Sequence, residues 1–151
     1  QGFGLGPYGA LGVDLDRIDP EAPVVTDLDS DAFVGFRTFL EAARGRTGAV
    51  KWQFVGPVTL GIALQRAGVP SGLAFDVAVH AVRSHVQALH VQISEVLPDA
   101  QQLVVLDEPS FFEVNDPEFP ISLDAAIDAV SGALAGPRHR AGATGWFSPA
   151  G

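Results

Sequence analysis

The chain contains no cysteine. That excludes disulfides, a thiolate nucleophile and any cysteine-ligated zinc or iron–sulfur centre built from these residues. Methionine is missing as well, even from position 1, as expected of a chain that begins inside a longer gene product or has been processed. Cationic side chains are scarce: 9 Lys and Arg stand against 18 Asp and Glu, a formal net charge of −9. Nucleic-acid binding needs Lys and Arg in clusters against phosphate, and only Arg44-Gly45-Arg46 and Arg138-His139-Arg140 come near that. No nucleic-acid partner is expected. No apolar run approaches the ~20 residues that span a bilayer, and no signal peptide opens the sequence. A soluble, cytoplasmic protein with no membrane partner is the expectation.

What is present suits one folded domain. Hydrophobic residues make up 47% of 151 and charged residues 18%, enough for a core and without the signature of disorder. The organising stretch is Leu103-Val104-Val105-Leu106-Asp107-Glu108-Pro109-Ser110. Four aliphatic residues in a row predict a strand buried on both faces, as in the middle of a parallel sheet. Pro109 ends it, having no N–H to donate. In parallel α/β folds the chemistry sits at the carboxyl ends of the strands, so the two carboxylates there are the leading candidates. Side chains alternate along a strand, so Asp107 and Glu108 cannot both enter one site. One should face the pocket and the other should hold the following loop.

A second strand is predicted over Val50–Val55. Trp52 and Phe54 occupy one face, and Lys51 and Gln53 the other, where in a closed barrel they would line the interior. Gly56-Pro57 starts a helix with proline in its first position, and the free amides of Val58 and Thr59 would face an anionic group. That helix ends near Gly68. A long one follows from about Leu73 to Leu97, with Val82, Val86, Leu89, Ile93 and Val96 on its buried stripe. His80, His85 and His90 lie on it five residues apart. Metal ligands on a helix want spacings of three or four, so these are read as surface or edge histidines pointing to different sides.

Elsewhere the signals are weaker. Residues 1–31 read as loop, and Gly4-Leu5-Gly6-Pro7-Tyr8-Gly9 is no dinucleotide turn, since no strand precedes it and Pro7 replaces a phosphate-facing amide. Asp14, Asp16 and Asp19 lack the glycine and distal glutamate of a calcium loop. A helix from about Asp31 to Ala43, capped by Asp29 or Ser30, would bury Phe33, Phe36, Leu40 and Ala43. The loop from Phe111 to Pro120 carries Glu113, Asn115, Asp116 and Glu118, and Ser122 caps a last helix with Leu123, Ile127, Val130 and Leu134 as its stripe. A domain over residues 1–137 and an irregular tail over 138–151 result.

Two motifs in order carry a family resemblance. Gly56-Pro57-Val58-Thr59 after a Lys-x-Gln strand, then Asp107-Glu108-Pro109 after an aliphatic strand, resembles the catalytic barrel of cobalamin-independent methionine synthase. The match extends to that barrel's relatives in the uroporphyrinogen decarboxylase superfamily, and the layout from about Leu28 to Ala135 is similar to the short actinobacterial methionine-synthase-like proteins. The resemblance implies a (β/α)8 barrel and transfer of a methyl group to a thiol such as that of homocysteine. It makes Asp107 the residue that binds the substrate amino group. Lys51, Gln53, Thr59, Glu108 and Ser110 are its candidate neighbours. It also implies zinc, and His139 matches the first ligand, but Ala141 stands where the family has cysteine. This chain alone is therefore not expected to bind zinc. Ala63 replaces a tryptophan that holds folate in the longer synthases, which argues against folate as donor. A full barrel takes about 250 residues, so the expected fold is a partial barrel, completed by further chain or by a second copy in a homo-oligomer. The alternatives are a non-catalytic barrel module that assembles as an oligomer and a decarboxylase-like enzyme.

Overall fold

A computed structural model describes residues 3–5 and 11–135. Strands β1 (Phe3–Leu5) and β2 (Leu11–Val13) pair antiparallel, with Gly4 opposite Gly12. Three-residue strands are too short to show a period, which is why this region reads as loop in the sequence. A 3-10 turn over Leu15–Arg17 follows, then an irregular segment to Ser30. A second 3-10 turn, Asp31–Phe33, runs into helix α1 (Val34–Ala43). Neither expected cap is used there. The Ser30 hydroxyl donates to the Asp27 carbonyl at 2.7 Å, and Asp29 takes its place in the same turn through its own amide.

Strand β3 (Gly48–Val55) shows the expected alternation, with Val50 and Trp52 buried and Lys51, Gln53 and Val55 exposed. Helix α2 (Pro57–Arg66) leaves it through Gly56 and stops at Gly68, whose φ of 100° is open to glycine with little strain. Helix α3 (Ser71–Val96) is the long element, and β4 (Ala100–Asp107) returns beside β3. The two strands are parallel, with Lys51 opposite Leu103, Gln53 opposite Val105 and Val55 opposite Asp107. This arrangement of helices with a two-stranded parallel sheet agrees with the α/β class read from the sequence. After β4 come a 3-10 turn (Pro109–Glu113) and helix α4 (Leu123–Leu134).

The strand pair is covered on one face. Val50, Trp52 and Val104 pack with Leu40 and Ala43 of α1 and with Leu89, Ile93 and Leu97 on and after α3. On the other face Leu103 and Val105 are only half-buried beside exposed Lys51 and Gln53. The expectation that both faces of β4 are buried is therefore corrected: among the described residues, nothing makes a second layer. Further down α3, Val58 and Ile62 pack with Phe75 and with Ala126, Ala129 and Val130 of α4.

The α4 stripe also needs correction. Leu123, Ile127 and Leu134 are 43%, 48% and 43% exposed, and the buried face is Ala126, Ala129, Val130 and Ala133. This face of small side chains packs on Phe75 and Val79 of α3, and Arg83 Nε of α3 donates to the Gly132 carbonyl at 2.7 Å. No helix among the described residues is long and apolar enough to cross a membrane.

Candidate functional site at the ends of the parallel strands

Asp107 closes β4 on the uncovered face, with Val55 opposite. Its side chain is exposed, and Oδ2 accepts from Gln53 Nε2 at 2.8 Å. Gln53 lies diagonally across the pair, opposite Val105, and its length spans the offset. No cationic side chain lies within salt-bridge distance of Asp107 among the described residues. Its backbone is fixed, because its carbonyl accepts from the Gly56 amide at 2.8 Å.

Glu108, one residue on, turns the other way and caps α2. Val58 N–H donates to Oε1 at 2.9 Å, and Thr59 N–H and Oγ1–H both donate to Oε2 at 2.7 Å. The first turn of α2 is thereby fully used: Pro57 has no N–H, and Leu60 donates to the Gly56 carbonyl at 3.1 Å. The anion expected at this helix start is thus the chain's own Glu108, which also suits the positive end of the helix dipole. Burial pushes the Glu108 carboxyl above its ordinary value, against the pull of the three hydrogen bonds. Gly56 is required by the same contact, because a Cβ there would overlap the Glu108 carboxylate. Ser110 N–H donates to Thr59 Oγ1 at 3.3 Å, tying the turn after β4 to the same cap.

The candidates therefore fall into two groups. Asp107 and Gln53 meet on the open face, while Glu108, Thr59 and Ser110 form the strand–helix junction behind it. Lys51 shares the open face but sits level with Leu103, four residues before Asp107, or about 13 Å along the strand. The loop acids lie apart. Glu113 pairs with Arg66 at 3.7 Å, Asp116 accepts from the Glu118 amide at 2.8 Å, and with Glu118 they line an open cleft of about 240 Å³ that does not include Asp107. His139 and Ala141 lie outside the described residues. Among those that are described, no group of three or more His, Cys, Asp or Glu side chains could hold a metal ion.

One buried polar group escaped the sequence reading. Among the described residues, Gln102 is the buried polar side chain of the core. Its Oε1 accepts from Trp52 Nε1 at 3.0 Å, and its Nε2 donates to the His90 carbonyl and Ser94 Oγ at 3.0 and 2.9 Å. It ties both strands to α3. Its position just before the aliphatic run, in phase with Val104, was the signal available. In comparisons with known proteins, no family model, no curated protein and no solved structure matches the chain.

Proposed function

We propose that this chain forms part of a (β/α)8 barrel of the methionine-synthase type, in which Asp107 grips the ammonium group of a homocysteine-like amino acid whose thiol receives a methyl group. The observation that supports this most is the division between neighbouring carboxylates. Glu108 is consumed by three internal hydrogen bonds. Asp107 stands on the open face at a strand's carboxyl end, where its partner among the described residues is the neutral Gln53 amide. A substrate ammonium supplies the missing partner, and hydrogen bonds between charged groups are the stronger kind. Gln53 orients the carboxylate and leaves its second oxygen for the ligand.

The family's zinc does not fit the described residues, which gather no set of ligands for it. The role assigned to this chain is to bind and orient the amino acid.

Calorimetric titration with homocysteine tests the pocket. Asp107→Ala and Asp107→Asn should each weaken binding by about tenfold or more, the effect of losing one charge-assisted hydrogen bond. The analogue 4-mercaptobutanoate, which has the thiol and carboxylate but no amino group, should bind the parent protein as weakly as homocysteine binds the variants. Equal affinity of parent and variants for homocysteine would end the proposal.

A second reading draws on the bare face of the strand pair. Val55 is 38% exposed there, with Leu103 and Val105 half-buried beside it, and a second copy that supplied further strands would cover them. Sedimentation velocity distinguishes a compact dimer from a monomer.

A further inference from the structure

The charges on the bare face of the strand pair are ordered. Lys51, Gln53 and Val55 stand along β3, level with Leu103, Val105 and Asp107 on β4. One end carries the Lys51 ammonium. The other end, four residues on and one strand across, carries the Asp107 carboxylate. Between them lie half-buried Leu103 and Val105 and the neutral amide of Gln53. Among the described residues, neither charged group has an ion-pair partner.

Such a face is complementary to itself. A two-fold axis that lies across the strands, between Gln53 and Val105, lays the pair onto a second copy with the strands antiparallel. Lys51 of each copy then reaches the end that bears the partner's Asp107. Stacked sheets lie about 10 Å apart. A lysine and an aspartate span that gap between them, and the flexible lysine stem covers the offset of one strand. Val105 meets its counterpart at the centre, with Leu103 beside it, and both lose water. Charge favours this face over others. The chain as a whole carries a net charge of −9 and repels its own copy, whereas the bare face presents one charge of each sign.

We propose that two copies of this chain associate through these faces, with each Lys51 paired to the partner's Asp107. The inference rests on the second reading above, that another copy covers the bare face, and gives that reading its arrangement. Two strands of this length present about 26 Å by about 10 Å. That is well below the ~800 Å² per partner of a stable complex, so the dimer is weak and depends on concentration. The ion pairs select its orientation, because like charges set opposite each other across an interface are strongly unfavourable. The partner's Lys51 also occupies the carboxylate that a ligand ammonium would take, so the dimer and the liganded form exclude each other.

Sedimentation velocity of the full chain without homocysteine, from about 10 μM to about 1 mM, tests this with reversed charges. The parent protein should shift from monomer towards dimer across that range. Lys51→Asp puts two acids on the face and Asp107→Lys puts two cations there; both positions are exposed, so neither change disturbs the core. Each variant alone should dimerise about tenfold more weakly or worse. An equimolar mixture of the two should regain the parent's association, because every facing pair again has opposite signs. The double variant should regain it as well. A parent that stays monomeric throughout would overturn this proposal and the second reading together. A parent dimer that survives either single reversal, or a mixture no more associated than its components, would overturn the arrangement and leave the second reading standing. Titration of dilute protein with homocysteine decides the first reading separately.

Discussion

Replacing Glu108 with alanine tests the strand–helix junction most directly. The substitution removes the acceptors of three hydrogen bonds at 2.9, 2.7 and 2.7 Å. Loss of a helix cap costs about 0.5–2 kcal/mol, and a buried donor left unpaired costs about 1–3 kcal/mol. Val58 is fully buried, so its amide is poorly placed to find water, whereas Thr59 is only half-buried. The combined loss should be about 2–3 kcal/mol. With a urea slope of about 1.5 kcal/mol/M, the midpoint in far-UV circular dichroism falls by about 1.3–2 M. Glu108→Gln should cost less, because the amide keeps one acceptor and the Thr59 hydroxyl can reverse its bond. The pH dependence has a definite sign. The folded carboxyl titrates above its ordinary value of 4.5, so the folded state holds this proton more tightly than the unfolded chain does. The stability that this contributes is complete below about pH 4.5 and is lost as pH rises through the raised value. The advantage of the parent over Glu108→Gln should therefore widen as the solution is acidified across that window. A midpoint shift under about 0.3 M for Glu108→Ala, with the slope unchanged, would refute the capping argument.

Two further substitutions follow from close contacts. Gly56→Ala pushes a methyl group into the Glu108 carboxylate and should destabilise by about 1–3 kcal/mol; combined with Glu108→Ala it should cost clearly less than the sum, since one substitution removes what the other strikes. Gln102→Ala strands the Trp52 indole N–H inside the core and should cost about 2–4 kcal/mol in urea unfolding, from the unpaired donor together with the cavity. Gln102→Glu should cost at least as much, since it adds a buried charge and removes both donors to α3.

Much of the fold could be read from the chain because backbone period and side-chain chemistry agree there. The alternation from Val50 to Val55 becomes a strand buried on the Trp52 side alone, and Gly56-Pro57 starts a helix at Pro57. Size is a poor guide to burial in the last helix. In α4 the large side chains Leu123, Ile127 and Leu134 face outward, because the helix buries Ala126, Ala129, Val130 and Ala133 instead. Gln102 was missed because a polar residue in phase with a core strand looks like an interruption until Trp52, His90 and Ser94 are seen around it. The packing of residues 21–30 against α3 could not be inferred, since His80 and His85, which hydrogen-bond to Ala22 and Thr26, are 58 and 59 residues away from them.

The pair Asp107-Glu108 shows how far a local rule can reach. Strand alternation requires neighbouring side chains to diverge, and the two carboxylates do diverge, one onto the open face and the other beneath the start of α2. Register says which residue takes which place: Asp107 falls in phase with Leu103 and Val105, on the face that bears Gln53 and Lys51. Glu108 lies one residue past the strand, and Gly56 leaves the space that its carboxylate fills. Gly56→Ala should therefore lower stability through the cap, whereas Asp107→Ala should lower homocysteine affinity and leave the urea midpoint nearly unchanged.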